Sequence, residues 1–247
     1  MDGSSGLSDE SFVARDLDRA IAPAACPICA GRSFGPGPRG RMSPGGWPPR
    51  CRGCGSLERH RAQRTVFEAL GPQAFAGRRA LQFSPDPAVR PDWFDAFELS
   101  VYGTATGLDL AAIARPDGAY GAVVCNHVLE HVADDRAALA ELGRILSPGG
   151  WAVLSVPDPV RIRATRHYGA ARPDKHGHHR VYGPDVASLI LQAMAGFALL
   201  AASPSDPVTG AADRCYLASR DGAFLAEAAT ALGRAGIPAA ILGALGA

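Results

Sequence analysis

Short, largely apolar runs alternate along the chain with longer segments in which apolar residues recur at helical spacing. Short apolar runs bounded by turn residues are typical of buried strands. They lie at 80–83, 98–103, 120–125, 151–156, 197–202 and 214–219. The helical segments lie at 57–70, 136–146 and 185–195, with a helix or broken helix at 88–97. This alternation predicts an α/β fold with a mostly parallel sheet and helices on both faces.

Turn and capping residues set the limits of these elements. Ser56 is a favourable N-cap for the first helix, and Gly71 ends it. Asp134 and Asp135 suit the start of the second helix, because acidic side chains are stabilised at a helix N-terminus. Residues 157–183 read as a long polar loop. Only a loop joins the last two strands, so we expect the last strand to be antiparallel.

The chain of 247 residues is long enough for one large domain and a small module. We divide it into five segments by composition and pattern. They are an N-terminal arm (1–20), a metal-binding knuckle (21–56), a connecting helix (57–77), the sheet domain (78–220) and a helical tail (221–247). The tail either closes the domain or pairs subunits, so the oligomeric state stays open.

The longest apolar runs are about seven residues, far short of the roughly 20 that a membrane helix needs. The chain starts with polar and acidic residues, without the basic and apolar regions of a signal peptide. We therefore expect no membrane partner and a cytoplasmic location.

Four of the six cysteines form two C-x-x-C pairs, Cys26 with Cys29 and Cys51 with Cys54. In a cytoplasmic chain this spacing favours a metal over disulfides. Two such knuckles predict a tetrahedral, structural Zn²⁺ site, and metal binding would supply the folding energy that so short a segment lacks. The lack of a surrounding β-α-β pattern disfavours a redox role.

Charge is unevenly distributed along the chain. Residues 22–79 hold ten arginines against two acids, a net charge of +8, whereas the whole chain carries +1. A basic segment favours an anionic partner such as phosphate, a sugar nucleotide or RNA. A solvated surface on which these arginines pair locally is an equally good interpretation.

The segment His127-Val-Leu-Glu130-His131 has the H-x-x-E-H spacing of an inverted zinc peptidase motif. A peptidase needs these residues in the middle of a helix, with a third ligand downstream. Here an apolar strand runs into His127 and a new helix starts at Asp134, so the helical turn is too short for that role. A milder alternative keeps a divalent ion on His127, Glu130 and His131, by analogy with an E-x-x-E-H segment in some ubiquinone-type O-methyltransferases.

Residues 120–157, "YGAVVCNHVLEHVADDRAALAELGRILSPGGWAVLSVP", resemble the class I S-adenosylmethionine (SAM)-dependent methyltransferases. The shared pattern is a strand, "HVLEHV", an acid-led helix ending in L-x-P-G-G, and another strand. Two further matches, "CGSLERHR" (54–61) and "HHRVYG" (178–183), resemble a subgroup with an N-terminal four-cysteine knuckle. The resemblance implies a Rossmann-like sheet with a small zinc module and SAM as cofactor, and extends more loosely over 78–220.

The resemblance also implies where SAM would bind. The corresponding cofactor positions are Phe83, Ser84, Asp86, Tyr102, Gly103, Asp109, Leu110, Asn126 and His127. Asp109 matches an acid that receives the adenine amino group, although a helix N-cap is an alternative role. The chain departs from the family in two places: the loop after the first strand lacks glycine, and no acid ends the second strand to accept the ribose hydroxyls. Asp86 is the candidate acid in the glycine-free loop.

Catalytic candidates come from the segments after the strands, because ligands bind at the carboxyl ends of parallel strands. The resemblance implies that His127 faces the methyl group, with a packing role as the alternative. His178 or His179 would act as general base and Arg180 would hold an acceptor carboxylate or phosphate. The full candidate set is His127, His178, His179, Arg180 and Tyr182.

The sequence thus predicts a SAM-dependent methyltransferase that acts on a small-molecule or glycan-type acceptor. RNA methylation is an alternative, although few aromatic residues are available to stack on bases. A further alternative is transfer or cyclisation of the aminocarboxypropyl arm of SAM, which the altered cofactor loop would suit. A non-catalytic SAM-fold protein is the last alternative.

Overall fold

The computed structural model describes residues 24–243, so the predicted arm at 1–20 lies outside the described residues. The α-helices are α1 (Glu58–Leu70), α2 (Asp135–Ile145), α3 (Val186–Ala193) and α4 (Gly222–Arg234). The first six strands are β1 (Phe34–Gly35), β2 (Arg50–Cys51), β3 (Arg79–Phe83), β4 (Ala96–Ser100), β5 (Tyr120–Asn126) and β6 (Leu146–Ser155). The others are β7 (Arg166–Arg172), β8 (His178–Val181), β9 (Ala198–Ala202), β10 (Cys215–Ser219) and β11 (Ala239–Leu242).

A seven-stranded sheet forms the centre of the molecule, in the order β4-β3-β5-β6-β10-β9-β11. Strands β4, β3, β5 and β6 are parallel to one another, whereas β10 pairs antiparallel with both β6 and β9. Five strands therefore run one way, with β10 and β11 opposed. The structure confirms the predicted α/β class, the mostly parallel sheet and the antiparallel strand at 214–219.

Side chains alternate between the two faces of the sheet, and each face has its own core. On one face, Leu81 and Val123 pack with α2 and α3. On the other face, Ala80, Val124 and Trp151 pack with α1 and α4. Full burial of a large apolar side chain contributes about 1.5–3 kcal/mol, so each face stabilises the sheet substantially. The predicted helices on both faces are confirmed.

The connection between β3 and β4 contains less helix than the predicted helix or broken helix at 88–97. The structure has only a 3₁₀ turn at Pro91–Trp93, and β4 already starts at Ala96. Prolines at 85, 87 and 91 explain the difference, because proline lacks an N–H and disfavours helical backbone in the residue before it. The two parallel strands are thus linked by a loop without an α-helix.

The predicted polar loop and the predicted helical tail both contain strands. The polar loop 157–183 holds the antiparallel hairpin β7–β8. Its residues are mostly exposed, so no apolar alternation marks them. The segment 221–247 holds α4 and also β11, which pairs with β9 at the edge of the sheet. This part of the chain therefore extends the sheet of the same molecule.

The start of α1 also differs from the prediction. Its N-cap is Leu57, whose backbone N–H donates to Nδ1 of His60 at 3.0 Å. Ser56 instead places its hydroxyl beside two cysteine sulfurs. Gly71 ends the helix as predicted, with a φ of +75° that suits glycine. None of the helices within residues 24–243 is long and apolar enough to cross a membrane.

Candidate functional site

The four knuckle cysteines converge beside the β1–β2 ribbon. The Sγ atoms of Cys26 and Cys54 are 3.8 Å apart, those of Cys29 and Cys51 are 3.5 Å apart, and all four lie within 4.8 Å of one another. Four thiolates at about 2.3 Å from a tetrahedral Zn²⁺ would be about 3.8 Å apart. The donor set and its spacing therefore fit a closed structural zinc site.

A buried ion pair connects this module to the sheet. Arg61 of α1 donates two hydrogen bonds to the carboxylate of Asp206, at 2.8 and 2.6 Å, and both side chains are fully buried. Its remaining Nη1 donates to the backbone oxygens of Pro49 and Ser56 in the module. The "CGSLERHR" segment thus links the knuckle to the loop between β9 and β10.

A polar network lines the carboxyl ends of β3, β5 and β6. Asn126, the last residue of β5, donates to Asp86 Oδ2 at 2.9 Å and accepts from the Ser155 hydroxyl at 3.2 Å. Gln63 of α1 donates to Ser155 Oγ at 2.7 Å and to Asp213 Oδ2 at 3.1 Å. Since the core faces of these strands are otherwise apolar, this concentration of polar groups marks the carboxyl edge as a candidate binding site.

His127 follows β5 and lies at the centre of this edge. Its backbone has a φ of +52°, and its N–H donates to the Ser155 carbonyl at 2.9 Å. Nδ1 is 3.8 Å from Glu130 Oε1 and Nε2 is 3.8 Å from Asp213 Oδ1, both beyond hydrogen-bond distance. Nε2 is buried and has no hydrogen-bond partner among residues 24–243. A residue with a left-handed backbone and a buried side-chain atom without a hydrogen-bond partner is a feature of functional sites.

The glycine-free loop reaches its turn through Ser84, whose φ of +65° is normally a glycine conformation. Phe83 just before it is buried in the core, and Asp86 caps the following turn by accepting from Ala88 N at 2.8 Å. The loop thus has the tight turn that glycine would give, with Asp86 held toward Asn126.

Among the described residues, the other predicted cofactor residues form no hydrogen bond with the polar network. Tyr102 and Gly103 form an exposed turn beyond β4, with 93% of the Tyr102 surface accessible. Asp109 is exposed and its carboxylate accepts from Ala111 N in a turn, so the helix that the N-cap alternative requires is not formed there. Leu110 is buried in the core. The end of β4 carries Ser100, whose hydroxyl accepts from Leu108 N, so no carboxylate lies there.

His60 is a residue of this site that sequence reasoning missed. Burial lowers its pKa to about 4, and the neighbouring charges that act on it include Asp86, His127 and Asp213. The helix α1 thus brings His60 and Gln63 next to the carboxyl edge. The only sequence signal was their place in the "CGSLERHR" match, since a contact between residues so distant in sequence has no spacing signature.

The hairpin β7–β8 carries the remaining predicted catalytic residues. Arg180 is buried, and its Nη atoms donate to the carbonyls of Leu129, Val132 and Ala133 at 3.2, 2.6 and 2.6 Å. Tyr182 is also buried and donates to Asp135 Oδ2 at 2.8 Å. Both side chains therefore hold the loop after β5 in place, and the structure gives Arg180 internal partners where the sequence interpretation gave it an acceptor anion.

His178 and His179 are both half-buried on β8. Burial and the neighbouring His131 lower the pKa of His178 to about 4, so its ring is neutral at pH 7. The His178 ring meets the His131 ring edge to face at 4.6 Å between centroids. His127, His131 and His178 thus share one region of the carboxyl edge.

Several arginines of the basic segment are engaged locally. Arg41 makes a bidentate ion pair with Glu58, and Arg64 donates to the Pro87 carbonyl. Four other arginines of the knuckle are exposed and have no ion pair among residues 24–243. They are Arg32, Arg39, Arg50 and Arg52.

The sheet and the polar edge define a Rossmann-like α/β protein with a candidate site at the carboxyl ends of the parallel strands. A family model described as "Methyltransferase domain" matches residues 57–202, more than half of the chain. The chain therefore belongs to the methyltransferase domain family, as the resemblance of residues 120–157 predicts.

Comparison with individual proteins gives more distant likenesses. An uncharacterised 37.1 kDa protein in transposon TN4556 of Streptomyces fradiae is 35% identical over 98 residues, which are 37% of this chain and 28% of that protein. This chain thus spans well under two thirds of the length of that relative.

Two solved structures are similar to this chain at low identity. A SAM-dependent methyltransferase of Thermotoga maritima, described as a possible histamine N-methyltransferase, gives a TM-score of 0.44 at 14% identity, covering 66% of this chain and 89% of that one. The 1,6-didemethyltoxoflavin-N1-methyltransferase of Burkholderia thailandensis, solved with S-adenosylhomocysteine, gives 0.46 at 15%, covering 64% and 77%.

Proposed function

We propose that this protein transfers the methyl group of SAM to a small-molecule or glycan-type acceptor, with a structural Zn²⁺ on Cys26, Cys29, Cys51 and Cys54. The observation that carries the proposal is the polar edge around Asn126 and His127, within a chain of the methyltransferase domain family. The orphaned His127 Nε2 supports a polar ligand at this place.

The residues present fit a cofactor with polar ends. Asp86 and Asn126, together with the left-handed turn at Ser84, would hold it at the ends of β3 and β5. When bound, SAM supplies a methyl group on a sulfonium, which is already a good leaving group. The chain must then position the acceptor and remove its proton where the acceptor is a hydroxyl.

His127 is the candidate for that proton transfer. Its ring lies between two carboxyl groups, Glu130 and Asp213, each 3.8 Å from a ring nitrogen. Arg180 and Tyr182 act indirectly, since they fix the loop that carries His127.

The lack of a carboxylate at the end of β4 supports weak binding of the ribose of SAM. For the same reason, a use of SAM other than methyl transfer is an alternative. Product analysis by mass spectrometry separates these chemistries. With SAM and a panel of hydroxylated and amino acceptors, methyl transfer gives S-adenosylhomocysteine and an acceptor heavier by one methylene. Methylthioadenosine as the product would instead mean that the aminocarboxypropyl arm was used, and would contradict the proposal.

A nucleic-acid acceptor is the second candidate, and the four exposed knuckle arginines favour it. Binding through these charges would weaken steeply as salt rises, because phosphate contacts release counterions. We therefore expect any RNA affinity to be measurable at low salt and to fall in a variant with Arg50 and Arg52 replaced by Gln. RNA affinity that is independent of salt would exclude this candidate.

A further inference from the structure

Glu130, His131 and His178 form a cluster next to the proposed cofactor site. One carboxylate oxygen and one ring nitrogen from each histidine all lie within 4.8 Å of one another. Glu130 and His131 belong to the 3₁₀ turn Leu129–His131 after β5, whereas His178 is the first residue of β8. Two separate elements thus bring three potential ligands to one point.

One oxygen of the buried Glu130 carboxyl has no hydrogen-bond partner in the described part of the chain. Only 2% of the residue is exposed, and that oxygen is Oε2. His127 Nδ1, at 3.8 Å from Oε1, is beyond hydrogen-bond distance. A buried, unpartnered carboxylate is costly, and a bound cation would offset that cost.

The scaffold around the cluster is tightly held. Arg180 lies two residues after His178, on the same strand, and donates to the carbonyls of Leu129 and Val132 on either side of the Glu130–His131 pair. The turn and the strand that carry the three side chains are therefore cross-linked directly. Such support is what a metal site needs to hold its ligands in position.

We propose that Glu130, His131 and His178 bind a divalent transition-metal ion. Two imidazoles and one carboxylate are ligands that suit Zn²⁺, Fe²⁺ or Co²⁺, and three protein ligands leave a coordination position open. This set differs from the His127-Glu130-His131 set that the H-x-x-E-H spacing indicates, because the hairpin supplies His178. In an extension that rests on the proposed function, the open position would take an oxygen of the acceptor.

The test is a Co²⁺ titration of the full chain, after dialysis against a chelator that removes weakly held metal. We expect visible d–d bands without the thiolate-to-cobalt charge-transfer bands that the cysteines would give. His178→Ala and the conservative Glu130→Gln should each weaken Co²⁺ binding by at least about 100-fold, beyond the usual effect of outer-shell changes. His179→Ala is the matched control, since the next residue on a strand faces the other way.

Equal Co²⁺ affinity in wild type and both ligand variants would overturn the proposal. So would a spectrum with thiolate charge-transfer bands alone, because the ion would then be on the cysteines. Far-UV circular dichroism of each variant checks that the fold is kept. The titration contains neither SAM nor acceptor, so its outcome is independent of the methyl-transfer proposal.

Discussion

Replacing Arg61 by Met should destabilise the protein far more than the loss of an exposed arginine. Arg61 and Asp206 are both fully buried and share two hydrogen bonds. Removing one partner of a buried ion pair costs about 3–5 kcal/mol, because the other charge stays buried without its counterion. For a domain of this size about 1 kcal/mol shifts Tm by roughly 2–4 °C, so we expect a fall in Tm of roughly 6–20 °C.

The assay is urea unfolding followed by far-UV circular dichroism, with Arg90→Met as the matched control. Arg90 pairs with Asp92, but their side chains are 54% and 63% exposed, so its loss should leave the stability nearly unchanged. Adding Asp206→Asn to Arg61→Met should restore part of the stability, since the buried charge of Asp206 is then removed as well. Equal costs for Arg61→Met and Arg90→Met would refute the reasoning.

Three further predictions concern the site and its supports. Because the pKa of His60 falls from 6.5 to about 4 on folding, the unfolded chain binds more protons below pH 6.5, and stability is lost as pH falls from 6.5 toward 4. His60→Gln, which keeps an acceptor for the helix N-terminus, should flatten that dependence in urea titrations; an unchanged slope would argue against it. Cys26→Ser should lower both the zinc content measured by mass spectrometry and the Tm, whereas a zinc-free wild-type protein would contradict the knuckle site. Arg180→Ala should lower the free energy of unfolding by about 3–5 kcal/mol and speed amide hydrogen exchange in the loop after β5. Normal protection of these amides in the variant would contradict the positioning role of Arg180.

The sequence predicts most of the central sheet because its strands are buried. Runs such as 120–125 and 151–156 are apolar on both faces of the sheet. A continuous apolar run of this kind can be recognised in the amino-acid sequence alone. The cysteine spacing likewise predicts the convergence of four sulfurs. The hairpin β7–β8 was missed because its side chains are mostly exposed, and β11 because it lies in a short alanine-rich edge segment.

The candidate site was only partly predictable. Asn126 and His127 follow a recognisable strand, so their place at the carboxyl edge follows from the fold. The partners of Gln63 and Arg61 are Asp213 and Asp206, which are about 150 and 145 residues away along the chain. Such contacts leave no periodic signal, and a buried arginine cannot be told from an exposed one by its neighbours in sequence. The basic segment shows this directly, since several of its arginines are engaged inside the protein.

We expect the polar edge around Asn126 to bind SAM. Isothermal titration calorimetry of the wild-type protein with SAM tests it most directly, with Asn126→Leu as the comparison, because this change removes the hydrogen bonds to Asp86 and Ser155 at nearly constant volume. We predict saturable binding to the wild type and at least about tenfold weaker binding to the variant, a difference of about 1.4 kcal/mol. No binding heat from the folded wild-type protein at millimolar SAM would contradict this expectation.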